Sequence, residues 1–271
     1  MSLTLSSRVK LNNEINIPCL GLGVYQIPPG NATLKAVKYA LEIGYRHIDT
    51  AKIYGNESDV GNALKNSKVK REDIFITTKV WNSDQGYDST LKAFESSLKR
   101  LGLSYVDLYL IHWPVEGKIN ETWRALIKLL KDGKVNTIGV SNYSINELKE
   151  TIQNSNIIPY INQVEFHPFL FQKDQLEFCK SNAIQLEAYS PLTRGKRLDD
   201  PKIGKIAIAY DKTPAQILVR WSLQHGLVVI PKSSHEKRIL ENSQVFDFNI
   251  HQKDMDVLDS LNENLRTVFL N

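Results

Sequence analysis

Leu108-Tyr109-Leu110-Ile111, inside the segment Val106–His112, is apolar at every position rather than at every second one. A strand wetted on one face alternates, whereas a strand of a parallel sheet is covered by helices on both faces and reads as a continuous apolar run. Seven further short segments read as strands: Leu20–Val24, Tyr45–Asp49, Ile74–Val80, Val135–Val140, Tyr160–Glu165, Ile184–Tyr189 and Leu227–Pro231. Between them lie helical patterns over Asn31–Glu42, Ser89–Leu101, Asn120–Lys131, Ile145–Asn154, Lys173–Ser181 and Pro214–Gln224. In Ser89–Leu101, for example, Leu91, Phe94, Leu98 and Leu101 recur at helical spacing, as an outer helix lying on a sheet requires. Alternating strand–helix units build either an open doubly wound sheet or a closed barrel, and a count of eight favours the (β/α)8 TIM barrel. No Gly/Ser/Pro-rich linker interrupts the pattern, so residues 1–271 are expected to form a single domain. Arg8–Ile17 is expected to form a short hairpin around Asn12-Asn13 that plugs the barrel's lower mouth. After the eighth strand, His235–Asn242 and Lys253–Leu261 read as two further helices.

The 271 residues, 42% hydrophobic and 24% charged, suffice for one large core. A net charge of +4 gives no argument for a nucleic-acid partner, though a local basic patch for a phosphorylated ligand fits within it. The greasiest stretch, Val106–Val115, is half the roughly 20 residues that a membrane span needs, and it contains His112. Met1–Pro18 lacks the apolar centre of a signal peptide, so the expected location is the cytoplasm. Cys19 and Cys179 form no CxxC pair and read as small buried apolar residues, with no metal site implied.

Reactive side chains fall at strand ends. Asp49 closes the second strand, Lys79 nearly closes the third, His112 closes the fourth, and Tyr54 follows Asp49 by five residues. In a barrel these positions share the C-terminal rim, where active sites are built. Reducing a carbonyl takes a hydride on carbon and a proton on oxygen. A free phenol, with a pKa of about 10, is a poor acid at neutral pH. A lysine ammonium ~4 Å away favours the phenolate by ~4 kcal/mol at an effective dielectric of about 20, up to roughly three pKa units. An aspartate paired with the lysine keeps it charged and aimed, and a neutral histidine can donate to the carbonyl oxygen.

Gly44-Tyr45-Arg46-His47-Ile48-Asp49-Thr50-Ala51, with Tyr54-Gly55-Asn56-Glu57 and Val60-Gly61, closely resembles the first signature of the aldo-keto reductases. Ile138-Gly139-Val140-Ser141-Asn142-Tyr143 resembles the second, and Ile230-Pro231-Lys232-Ser233 with Arg238 and Glu241-Asn242 the third. The likeness runs from about Leu11 to Leu261 in the family's order. It implies that Tyr54 is the proton donor, that Lys79 and Asp49 support it, and that His112 orients the carbonyl. It also implies a TIM barrel that binds NADPH without a Rossmann fingerprint. In agreement, Gly21-x-Gly23 is followed by Gln26 where a third glycine would be needed.

By the same resemblance the nicotinamide lies over Tyr189, its carboxamide held by Ser141, Asn142 and Gln163. Ser190 and Leu192, with Pro191 between them, line the pyrophosphate. Gly23, Val24, Asp49, Ser234, Glu241 and Asn242 complete the expected cofactor contacts. Lys232, Ser233 and Arg238 beside a helix N-terminus form an anion site suited to a 2′-phosphate, which favours NADPH over NADH. Tyr25, Trp81 and Trp113, with Tyr54 and His112, are expected to wall the substrate pocket.

The loop after Pro114 and the chain beyond Leu261 are short. In this the sequence resembles the compact microbial and protozoan members: 2,5-diketo-gluconate reductases, glyoxal and methylglyoxal reductases, and prostaglandin F synthase-like enzymes. A short lid implies an open pocket of broad specificity, and the family pattern implies a monomer. Two positions depart from that pattern: Asn136 stands where a basic residue is usual, and Thr193 where glycine is common. Two other readings stay open: a barrel aldolase using Lys79 as a Schiff base, and a non-enzymatic NADPH-binding protein.

Overall fold

The computed structural model describes residues 3–269. β1 (Arg8–Lys10) and β2 (Asn16–Pro18) form the expected antiparallel hairpin, with Val9 opposite Ile17. Its turn is fastened to the barrel floor, where Asn13 Nδ2 donates to Asn136 O at 3.2 Å and to Thr137 Oγ1 at 3.1 Å. Leu11 and Ile17 pack with Phe75, Leu108, Leu110, Ile161 and Val228, so the hairpin closes one mouth of the barrel.

Eight parallel strands follow: β3 (Leu22–Gly23), β4 (His47–Asp49), β5 (Phe75–Val80), β6 (Val106–Ile111), β7 (Val135–Ser141), β8 (Ile161–Glu165), β9 (Gln185–Tyr189) and β10 (Val228–Val229). They pair in chain order, and the sheet closes on itself. Gly21 N donates to Val229 O at 2.9 Å, Val229 N to Cys19 O at 2.9 Å, and Gly23 N to Pro231 O at 3.3 Å. β5 and β6 are buried at every residue, as the apolar runs implied. β3 and β10 are shorter than read, because the apolar runs continue past the paired residues.

The outer helices are α1 (Asn31–Glu42), α2 (Glu57–Lys65), α3 (Tyr87–Leu101), α4 (Ile119–Lys131), α5 (Ile145–Gln153), α6 (Lys173–Ser181), α7 (Pro201–Ala209) and α8 (Pro214–Gln224). α9 (Glu236–Ser243) and α10 (Gln252–Asp259) come after β10. Their starts follow local chemistry. Thr213 and Gln216 form a reciprocal capping box with Pro214 at the first turn of α8, and Asp200 caps α7 ahead of Pro201. In α2, Val60, Ala63 and Leu64 are buried at helical spacing, and the missing side chain of Gly61 lets the helix approach α3: a Cβ there would meet Leu101 O at 2.2 Å.

Because side chains alternate across a strand, residues two apart share a face. Lys79 and Thr77 of β5, Asp49 and His47 of β4, Gln163 of β8 and Glu187 of β9 therefore point into the barrel together. The two departures from the family pattern have local partners. Asn136 Nδ2 donates to Asp107 Oδ1 at 3.0 Å, while Arg71 supplies the charge that pairs with Asp107 at 2.7 Å. Thr193 holds a left-handed backbone (φ 52°), the conformation that makes glycine the easier choice there.

Candidate active site

Lys79, on β5, has no exposed surface, and its ammonium is fully engaged. It donates to Asp49 Oδ1 at 2.7 Å, to Oδ2 at 2.8 Å, and to Thr50 O at 3.0 Å. The hydroxyl of Tyr54 lies 3.4 Å from the same nitrogen. Tyr54 reaches this point from a single 3-10 turn, Lys52–Tyr54, ended by left-handed Gly55. His112 stands edge-on to Tyr54, ring centroids 5.6 Å apart, and edge-on to Trp81 at 5.1 Å. Its Nδ1 is buried without a partner among the described residues. Burial, helped by the charge of Lys79, holds the imidazole well below its ordinary pKa, so the ring is neutral.

The phenol departs from expectation. Lys79 was expected to draw the Tyr54 pKa down, yet it is pushed well above 10, first by burial and then by the charge of Asp49. The ammonium's field is largely cancelled by the carboxylate it grips at 2.7 Å. Tyr54 therefore keeps its proton.

A cavity of about 840 Å³ opens above these groups, within the range of small-molecule and cofactor sites. One end is walled by Tyr25, Tyr54, Trp81, His112 and Trp113. The middle is lined by Gly23, Asp49, Ser141, Asn142, Gln163, Tyr189, Ser190 and Leu192, and the far end by Lys232, Ser233, Ser234, Arg238, Glu241 and Asn242. In the middle, Tyr189 donates to Asn142 Oδ1 at 2.7 Å, and Asn142 Nδ2 to Ser141 Oγ at 3.0 Å. At the far end the Lys232 pKa is lowered by partial burial and by the charges of Arg194 and Arg238. Cations gathered this closely repel one another, and a bound anion relieves that repulsion.

Val24 is the exception. Its side chain is fully buried in the core away from the cavity, and its carbonyl accepts from Asn56 Nδ2 at 3.0 Å. Lys79 also stays off the cavity wall, behind Asp49 and Tyr54. The chain beyond Leu261 returns to the cavity, where Val268 and Phe269 line it and Phe269 stays exposed. The segment is tied down where Thr267 N and Val268 N donate to Glu165 at 2.8 and 3.2 Å. Arg194 bridges from Thr267 O at 2.9 Å to Gln26 Oε1 at 2.8 Å, across the cavity's upper edge. These loop residues carry no periodic signal, so the sequence did not mark them. Glu187 and His47, inside the barrel, were missed as single polar residues in apolar runs.

The sequence profile of the Aldo/keto reductase family matches residues 20–263. The chain belongs to that family. It is 53% identical to the glyoxal reductase of Bacillus subtilis (strain 168), over 98% of this chain and 96% of that protein. An aldo-keto reductase from a Medee basin deep-sea metagenome library superposes with a TM-score of 0.94 at 48% identity, over 97% of each chain. A mutant of Gox0644 solved in complex with NADPH gives 0.91 at 42% identity, over 95% of this chain and 94% of that one. This member of the aldo/keto reductases is thus an oxidoreductase, and no helix among its described residues is long and apolar enough to cross a membrane.

Proposed function

We propose that the protein reduces small aldehydes and ketones to alcohols with NADPH, using Tyr54 as proton donor. The observation that carries this reading is the meeting of the Tyr54 hydroxyl, the Lys79 ammonium and the neutral ring of His112 at one end of a cavity whose other end gathers Lys232, Arg238 and Arg194. NADPH, when bound, supplies the hydride that adds to the carbonyl carbon. The chain's own groups handle the oxygen. His112 donates to it and orients it, and Tyr54, kept protonated by its surroundings, delivers a proton to the developing alkoxide. Lys79 then stabilises the phenolate left behind, with Asp49 holding the ammonium in place. Ser141, Asn142 and Gln163 would hold the carboxamide, Tyr189 would offer the nicotinamide a flat face, and Lys232, Ser233 and Arg238 would take the 2′-phosphate. Gly23, Ser190, Leu192, Ser234, Glu241 and Asn242 would follow the rest of the dinucleotide.

The Schiff-base reading loses its footing, because an amine with no exposed surface and three bonded N–H groups has no lone pair to offer a substrate. The reading also takes the protein to be a cytoplasmic monomer, which light scattering and cell fractionation test directly.

The experiment is NADPH consumption against methylglyoxal, a nitrobenzaldehyde, glyceraldehyde, xylose and a diketo acid, with Tyr54→Phe and His112→Ala beside the parent. Tyr54→Phe is expected to lower turnover by about 10²–10⁴-fold with NADPH affinity retained. Undiminished turnover, or tight NADPH binding without turnover by the parent, would reject it. Lys232→Ala is expected to weaken NADPH binding about tenfold while leaving NADH binding unchanged, and equal losses for both would remove the 2′-phosphate assignment.

A further inference from the structure

Glu187 lies on β9, wholly inside the barrel, with no cation hydrogen-bonded to it among the described residues. A carboxyl in such a place costs stability unless it neutralises or finds partners. Its Oε2 accepts from Gln163 Nε2 at 2.7 Å. Its Oε1 has no hydrogen-bond partner among the described residues and faces His47 Nε2 at 3.6 Å. The same Gln163 nitrogen also donates to Asp49 Oδ2 at 2.8 Å. Both N–H bonds of the Gln163 amide are thus committed inward, to two carboxyl groups on two different strands. No described residue donates to Gln163 Oε1, and Gln163 borders the cavity.

The chemistry leaves the amide one orientation. An NH2 group has two donors and no acceptor, and a carbonyl turned this way would meet the carboxylate of Asp49 lone pair to lone pair. With only Asp49 present, one N–H would be left without a partner and the amide would be free to swing. With both, the acceptor face of Gln163 is fixed toward the cavity.

We propose that Glu187 is a positioning residue for the nicotinamide: with Asp49 it locks the Gln163 amide so that Oε1 accepts an N–H of the cofactor's carboxamide. This rests on the NADPH reading above and adds a residue that never touches the cofactor. Burial pushes the Glu187 pKa up to about 8, with the charge of Asp49 adding to it, so the carboxyl is largely protonated at neutral pH. A protonated carboxyl still accepts at Oε2. It places its proton on Oε1, toward His47, whose own pKa burial lowers to about 3 and whose ring is therefore neutral.

The test compares NADP+ with its 3-acetylpyridine analogue, whose methyl ketone lacks the carboxamide N–H, by calorimetric titration of the parent, Glu187→Leu and Glu187→Gln. The parent is expected to prefer NADP+ about tenfold. Glu187→Leu is expected to lose that preference by binding NADP+ more weakly while its affinity for the analogue holds. Glu187→Gln, which still presents an acceptor, restores it. If Glu187→Leu fails a circular dichroism and melting check, Glu187→Ala takes its place. A folded Leu or Ala variant that keeps the parental ratio, or loses affinity for both ligands equally, overturns the proposal. A parent that binds both ligands equally overturns it and leaves the NADPH reading standing, whereas a parent that binds neither overturns both.

Discussion

Lys79 gathers the site because its N–H bonds, spent on Asp49 and Thr50, hold the ammonium in place with no exposed surface. That arrangement explains why the phenol stays protonated, whereas a free lysine beside a tyrosine would drive it toward phenolate. His112 is the complementary case: burial, with the charge of Lys79 adding to it, makes its ring neutral. A depressed imidazole pKa means that the neutral form persists as pH falls through the ordinary value of 6.5. The kcat/KM for reduction is therefore expected to show no step near pH 6.5 that His112→Asn abolishes. A step there, absent in the variant, would show that the histidine titrates normally. These four residues were legible in the sequence because each ends or follows a strand. Their electrostatic balance was not legible, because it depends on a 2.7 Å contact between β4 and β5.

At the scale of elements, the strands were readable because parallel strands buried on both faces leave continuous apolar runs. The helices α1, α6 and α8 fall within the residues their spacing marked. In α2 the packing turns on Gly61. Adding a methyl group there drives it into the backbone of Leu101. Gly61→Ala is expected to lower stability by about 1–3 kcal/mol in urea denaturation, and a variant as stable as the parent would show that α2 and α3 can part at no cost. The loops were the least legible part. Gln26, Asn142, Ser190, Thr193 and Arg194 all hold left-handed backbone around the cavity, a concentration that fits strain kept at functional sites. Nothing in a run of mixed polar residues announces that geometry, nor that Val268 and Phe269 come back to wall the pocket.

For the whole molecule, the barrel keeps a polar layer of His47, Thr77, Gln163 and Glu187 between an apolar floor and the reactive rim. Glu187 makes that layer sensitive to pH. Its folded pKa of about 8 stands above the reference value of 4.5, so the folded state holds a proton that the unfolded chain releases. Its favourable contribution is complete below pH 4.5 and is lost as pH rises toward 8, at up to roughly 1.4 kcal/mol per pH unit. Relative to the parent, Glu187→Gln is expected to gain stability between pH 5 and pH 8. Asp49, Lys79, Gln163 and His47, the groups that face Glu187, are the same in both proteins. A stability gap that does not change with pH would show that Glu187 titrates like an exposed carboxyl. The basic end of the cavity has its own signature: affinity for NADPH should fall as salt rises, in step with screening of Lys232 and Arg238.

The account stands on a phenol and an ammonium meeting a bound dinucleotide at the barrel's rim. A crystal structure of the complex with NADP+ tests this most directly. The nicotinamide C4 is expected within ~4 Å of the Tyr54 hydroxyl, near contact distance for transfer to a shared carbonyl, with the 2′-phosphate on Lys232 and Arg238. A nicotinamide lodged elsewhere, with Tyr54 facing solvent or packed protein, would contradict it.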